Sequence, residues 1–127
     1  TSLTASCPFC IDMNSADYTK FNITKDDLLS LQNEKLFCKN HNFSIHERLA
    51  IRYAKSLTVS PICVPQNLFE ELKVHFEESE ITVLSYTIAQ VNFWTRLIQG
   101  FGISPEGFSD VCVYDLSKYA ISKRTSD

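Results

Sequence analysis

Residues 79–102 read SEITVLSYTIAQVNFWTRLIQGFG, and this stretch decides the fold class. Ile81, Leu84, Ile88, Val91, Thr95 and Ile98 recur at alternating steps of three and four, which is the period of one helix face and not of a strand. Trp94, Leu97 and Phe101 widen the stripe, so the helix is apolar over much of its circumference. A helix of that kind sits at the centre of its domain or at a subunit interface. Ser79 is the expected N-cap, and Gly100 and Gly102 are expected to end the helix.

The rest of the chain reads as helix on either side of this element. Residues 66–76 place Leu68, Phe69, Leu72 and Phe76 inward, after a loop bounded by Pro61 and Pro65. Ser44-Ile45-His46-Glu47 has the form of a capping box. It opens a helix with Leu49, Ala50, Tyr53, Ala54 and Leu57 on one face, ending near Thr58. Thr24, with Asp27 three residues on, caps a short helix through Leu28, Leu29 and Leu31. The first helix starts at Cys7 and runs to about Lys20, with Pro8 in the first helical position, where a missing N–H is no loss. After Gly102 a loop and a short helix over residues 116–121 are expected. Only three glycines occur, and no Asn-Gly or Asp-Gly turn, so tight hairpins are scarce. The fold class is all-α.

A chain of 127 residues with 44% apolar and 21% charged residues builds one domain around one core. The net charge of -3 and the absence of a basic patch argue against nucleic acid or an anionic membrane as partner. Residues 81–103 form the most apolar long stretch, but Gln90, Asn92, Arg96 and Gln99 interrupt it, so no transmembrane segment is expected. The five cysteines make an odd number, unlike a secreted disulfide scaffold, and suit the reducing cytoplasm. Cys38, Cys63 and Cys112 stand alone and are expected as buried or half-buried small hydrophobes. The chain starts at Thr1 rather than Met, and the full protein is expected to continue upstream.

The chemistry-bearing motif is Cys7-Pro8-Phe9-Cys10. Two sulfurs on the first turn of a helix lie within disulfide reach, and the unpaired N–H groups there favour a thiolate. The second thiol supplies the group that resolves a sulfenic acid to a disulfide. Two other readings stand beside the redox one. With Cys38-Lys39-Asn40-His41 the pair offers four candidate zinc ligands, at a spacing longer than common fingers. Alternatively, the two cysteines simply pack at a helix start. Asp12, Asp17 and Tyr18 are the nearest polar groups, each expected to be solvated. His41, His46 and His75 are expected to be structural or exposed.

Beyond the pair itself, the run Cys-Pro-Phe-Cys-Ile-Asp-Met-Asn at 7–14 resembles the signature of the carboxymuconolactone decarboxylase family, in its alkyl hydroperoxidase AhpD-like branch. So do Glu47-Arg48-Leu49-Ala50 with Ala54-Lys55-Ser56-Leu57-Thr58, Val64-Pro65 with Leu68-Phe69 and His75-Phe76, residues 88–96, and Gly102-Ile103-Ser104-Pro105-Glu106-Gly107-Phe108. The resemblance covers residues 4–110, so a domain over 1–110 is followed by an extension over 111–127. It implies an AhpD-like bundle of helical hairpins that assembles into homo-oligomers. It also implies thiol-dependent reduction of a peroxide, or dithiol-disulfide exchange, without cofactor or metal. Cys10 would attack the peroxide, Cys7 would resolve the sulfenic acid, and a dithiol or thiol protein would reduce the disulfide. Asn14 stands where the family has its histidine. On a helix Asn14 shares a face with Cys10 and is expected to hydrogen-bond its sulfur without taking up a proton near neutral pH. The family's upstream glutamate would fall before Thr1. The alternative is a non-catalytic helical oligomer that keeps the fold around a degenerate site. The decarboxylase activity of the wider family and a zinc-binding domain are further from the sequence.

Overall fold

Side-chain oxygens set where several helices of this chain begin. Ser44 Oγ accepts the Glu47 N–H, and the Glu47 carboxylate accepts the Ser44 N–H at 2.8 Å, a reciprocal pair that opens a helix over Ile45–Thr58. Thr24 and Asp27 start Lys25–Ser30 in the same way. The computed structural model describes residues 1–109, and these are helical throughout their regular parts. In chain order they are α1 (Pro8–Ser15), a 3-10 turn (Tyr18–Phe21), α2 (Lys25–Ser30), α3 (Glu34–Lys39), α4 (Ile45–Thr58), α5 (Gln66–His75) and α6 (Glu78–Phe101). No strand occurs among the described residues. Removing the Ser44 hydroxyl (Ser44→Ala) is expected to cost about 1 kcal/mol of stability. A urea midpoint shifted down at constant slope would show it.

α4, α5 and α6 pack as consecutive hairpins around Leu49, Tyr53, Leu68, Leu72, Ile81 and Ile88, with Phe69, Phe76 and Leu84 at the margin. The Tyr53 hydroxyl finds the Ser85 hydroxyl at 2.8 Å, so the ring is buried without an orphaned polar tip. α6 has 24 residues and spans roughly 36 Å. Its N-terminal half therefore lines this core while its C-terminal half reaches α1, where Ile98 packs with Cys7, Cys10 and Phe9. Between the two, Asn92 donates to Thr58 Oγ1 at 3.0 Å, and Thr95, wholly buried, donates to the Asn92 carbonyl. A third cluster joins Ile11 to Leu28, with Leu3, Tyr18, Ile23 and Leu31 around it.

The structure moves several sequence-based boundaries. α6 begins two residues earlier than Ser79 implied: Glu77 is the N-cap and forms a capping box with Glu80. Gly100 is inside α6, and Gly102 alone ends it, with φ 68 and its N–H on the Gln99 carbonyl while Ile103 N–H reaches Ile98. The first helix stops at Ser15 instead of Lys20, because the chain turns into the 3-10 segment and then through Asn22 at φ 56. α3 is an element that apolar spacing does not mark; its local signal is Asn33, whose side chain accepts from the Lys35 and Leu36 N–H groups. Trp94 and Phe101 do not widen the buried face, being 48% and 74% exposed. With Val83, Tyr86 and Phe93 they make an outward apolar set on α6. Cys112, the helix expected over residues 116–121 and the extension over 111–127 lie outside the described residues. Among the described residues, no helix is long and apolar enough to cross a membrane.

Candidate functional site

The cysteine pair lies where a turn over residues 1–6 gives way to α1. Residues 1–6 form a helical turn that closes with Cys7 N–H on the Ser2 carbonyl and Ser6 N–H on the Leu3 carbonyl, with Ser6 left-handed at φ 51. The chain then enters α1 with Pro8 in its first turn and Cys7 as N-cap. Cys7 Sγ takes the role that a serine oxygen usually plays, accepting the Cys10 N–H at 3.4 Å. Both cysteines are free thiols. Cys7 has no exposed surface and Cys10 has 2%.

The Cys10 thiol is pushed up to about 12. Burial is the main cause, followed by the hydrogen bond it makes to the Cys7 sulfur and by its electrostatic interaction with that sulfur. In the reduced pair Cys10 therefore holds its proton and Cys7 is the sulfur that accepts hydrogen bonds.

Asn14 is near the pair but does not touch sulfur, contrary to the expectation from the sequence. Its Nδ2 donates to the Cys10 carbonyl at 2.7 Å and to Ser2 Oγ at 3.3 Å. The side chain folds back along its own helix, so it braces the backbone of the motif. Asp12 departs further from expectation. It is 4% exposed, and its carboxylate accepts four backbone N–H groups from the segment after α6. Glu106, Gly107 and Phe108 donate to Oδ2 at 3.2, 2.7 and 3.0 Å, and Ser109 donates to Oδ1 at 2.9 Å. Burial alone would raise this carboxyl, but the four donors outweigh it and hold the group below the usual carboxylate range. Gly107, at φ 77, supplies the bend that lets successive N–H groups point one way. Phe108 meets Phe9 edge to face at 5.8 Å. The sequence carried one half of this signal, the Pro105-Glu106-Gly107 turn, but nothing local pairs it with residue 12.

The remaining candidates scatter. Asp17 is solvated as expected and pairs with Lys20 at 2.8 Å, whereas Tyr18 packs against the Ile11 and Leu28 cluster. Cys38 and Cys63 are exposed, not the small core hydrophobes expected. Cys38 sits on α3 beside Glu34, and neither it nor His41 is gathered with Cys7 and Cys10. Among the described residues, no three His, Cys, Asp or Glu side chains converge as metal ligands would. His46 Nε2 donates to the His75 carbonyl at 3.0 Å and its ring stacks edgewise on His75 and Phe76, a structural arrangement. An open groove of about 740 Å³ runs past Tyr53, Phe69, His75, Phe76 and Ser85 and contains neither cysteine of the pair.

The chain is similar to the uncharacterized protein YdfG of Bacillus subtilis (strain 168), with 30% identity over 99 residues, covering 76% of this chain and 64% of the relative. It is likewise similar to the uncharacterized protein YnjA of Escherichia coli (strain K12), with 30% identity over 101 residues, covering 80% of this chain and 54% of the relative. The chain thus spans a little over half to just under two thirds of the length of these relatives. No family model matches it. No solved structure matches it.

Proposed function

We propose that Cys7 and Cys10 form a redox-active pair in an AhpD-like, thiol-dependent peroxidase or dithiol-disulfide oxidoreductase. The observation that carries this reading is the pair itself: two free thiols on one helical turn, with the Cys10 N–H on the Cys7 sulfur and a protonated Cys10 thiol beside it. A thiolate attacks one peroxide oxygen, the O–O bond breaks, and the departing alkoxide takes a proton to leave as alcohol. The sulfenic acid left on sulfur then meets the second thiol. An S–S bond forms, and the hydroxyl leaves as water with that thiol's proton. An external dithiol or thiol protein returns two electrons by exchange. A disulfide substrate enters the same cycle at the exchange step. The hydrogen bonding supports Cys7 as the attacking sulfur and Cys10 as the resolving thiol, the reverse of the order that the family resemblance implies.

Under this reading the bundle works as a homo-oligomer in the cytoplasm. The outward apolar set on α6 supports an assembly surface, and the net charge of -3 speaks against nucleic acid and anionic membrane partners. One observation favours a second reading, a non-catalytic oligomer with a degenerate site. Asn14 is spent on the Cys10 carbonyl and no side chain that titrates near neutral pH stands in its place.

Mass spectrometry of the reduced protein before and after one equivalent of peroxide separates the two. The redox reading expects a loss of two hydrogens on the peptide that carries Cys7 and Cys10. Free thiols at both positions, with the peroxide unconsumed, would favour the second reading.

A further inference from the structure

A peroxide cannot reach a pair of cysteine residues that are at most 2% exposed, so some part of the protein must move before the pair acts. α1 and α6 are joined there by Ile98, Cys7, Cys10 and Phe9, and regular helices packed on one another are poor candidates for that motion. Residues 103–109 are different. They follow the Gly102 turn, have no regular structure, and are themselves mostly exposed. Several of their contacts are made to α1. Four of their N–H groups share the Asp12 carboxylate, the Ser109 hydroxyl reaches the Ser15 carbonyl at 3.5 Å, and Phe108 rests on Phe9. Phe9 in turn packs against the cluster of Cys7, Cys10 and Ile98.

We propose that residues 103–109 form a strap that gates access to the Cys7–Cys10 dithiol, with the Asp12 carboxylate as its latch and Phe108 as the piece that presses on Phe9. Asp12 is a positioning residue in this scheme, since it touches the strap and not the sulfurs. The closed strap protects the pair, and release of the segment lets an oxidant or a disulfide reach it. The high proton affinity of Cys10 in the closed state fits a resting form. The gate concerns the same site as the dithiol chemistry proposed above, and it rests on that reading only for what it regulates.

Native alkylation of the full, reduced chain with iodoacetamide tests it, read peptide by peptide. The exposed Cys38 and Cys63 serve as references inside the same molecule. In the wild type, Cys7 and Cys10 should lag far behind those two. In Asp12→Asn the amide can accept only through its oxygen, and its NH₂ opposes a backbone donor. Alkylation of the pair should then rise about tenfold or more, with the references unchanged. Phe108→Ala, which leaves the latch intact, should raise it as well. Asp27→Asn, which weakens the fold at a buried carboxylate away from the strap, should not. Two results would overturn the gate: a pair that is alkylated as slowly in Asp12→Asn as in wild type, or an equal rise in Asp27→Asn. A peroxide arm keeps the two proposals apart. Faster alkylation in Asp12→Asn without any peroxide-driven disulfide removes the redox reading and leaves the gate. Equal disulfide formation in both proteins, with alkylation unchanged, removes the gate and leaves the redox reading.

Discussion

Serine at either position of the pair is expected to lower peroxide turnover by about a thousandfold or more, and the two variants should stop at different chemical states. Cys10→Ser keeps Cys7 at the N-cap but removes the resolving thiol. A sulfenic acid should then accumulate on Cys7 and be trapped by dimedone. Cys7→Ser removes both the sulfur that accepts from the Cys10 thiol and its electrostatic influence on Cys10 ionisation. The Cys10 titration should fall from about 12, yet stay above that of an ordinary thiol because burial, the largest cause of its rise, remains. The pH profile of Cys10 alkylation, compared between Cys7→Ser and wild type, reads that shift directly. Sulfenic acid trapped in Cys7→Ser and not in Cys10→Ser would restore the order of attack implied by the family resemblance. Undiminished turnover in both would end the dithiol mechanism.

The largest effect on stability should come from Asp27→Ala, at about 3 kcal/mol. Asp27 is buried at the start of α2 and accepts four hydrogen bonds. Thr24 gives its N–H and hydroxyl at 2.8 and 2.7 Å, and the Asn40 and Asn42 amides donate at 2.8 and 2.9 Å. The carboxylate thus fixes both the cap of α2 and the chain leaving α3. Burial by itself would raise this group, but the donors prevail and hold it well below the usual carboxylate range. A folded-state value below the unfolded one adds stability above about pH 4, which is lost as pH falls through the folded value. Wild type should therefore lose stability on acidification more steeply than Asp27→Ala. Urea midpoints at neutral pH and near pH 3 check both the size and the sign, and parallel acid slopes would contradict the assignment.

The capping boxes at Thr24 and Ser44 were legible in the sequence because each is completed within four residues. The inward face of α4 to α6 was legible because a helical stripe repeats over many turns, and Ile81, Ile88, Thr95 and Ile98 are buried where that stripe places them. The cysteine pair at the start of α1 was visible for the same local reason. What local pattern does not encode is pairing across the chain. Asp12 reads as a solvated carboxylate on a short helix until the N–H groups that satisfy it arrive from residues 106–109. Asn14 reads as a partner for sulfur because it shares a face with Cys10, yet a side chain that short finds the nearer carbonyl of its own helix. Trp94 and Phe101 show the complementary limit: hydrophobicity marks a face without saying which of two faces this domain covers.

The separation of Asp12 from its donors has a consequence for biosynthesis. The four N–H groups come 94, 95, 96 and 97 residues after the carboxylate that gathers them. A ribosome adds that length of chain in roughly 5–20 s at about 5–20 residues per second. Throughout that interval Cys7 and Cys10 have been made and their cover has not. The nascent chain therefore passes through a window in which its dithiol lacks that cover, and the window lasts at least until Ser109 has been added.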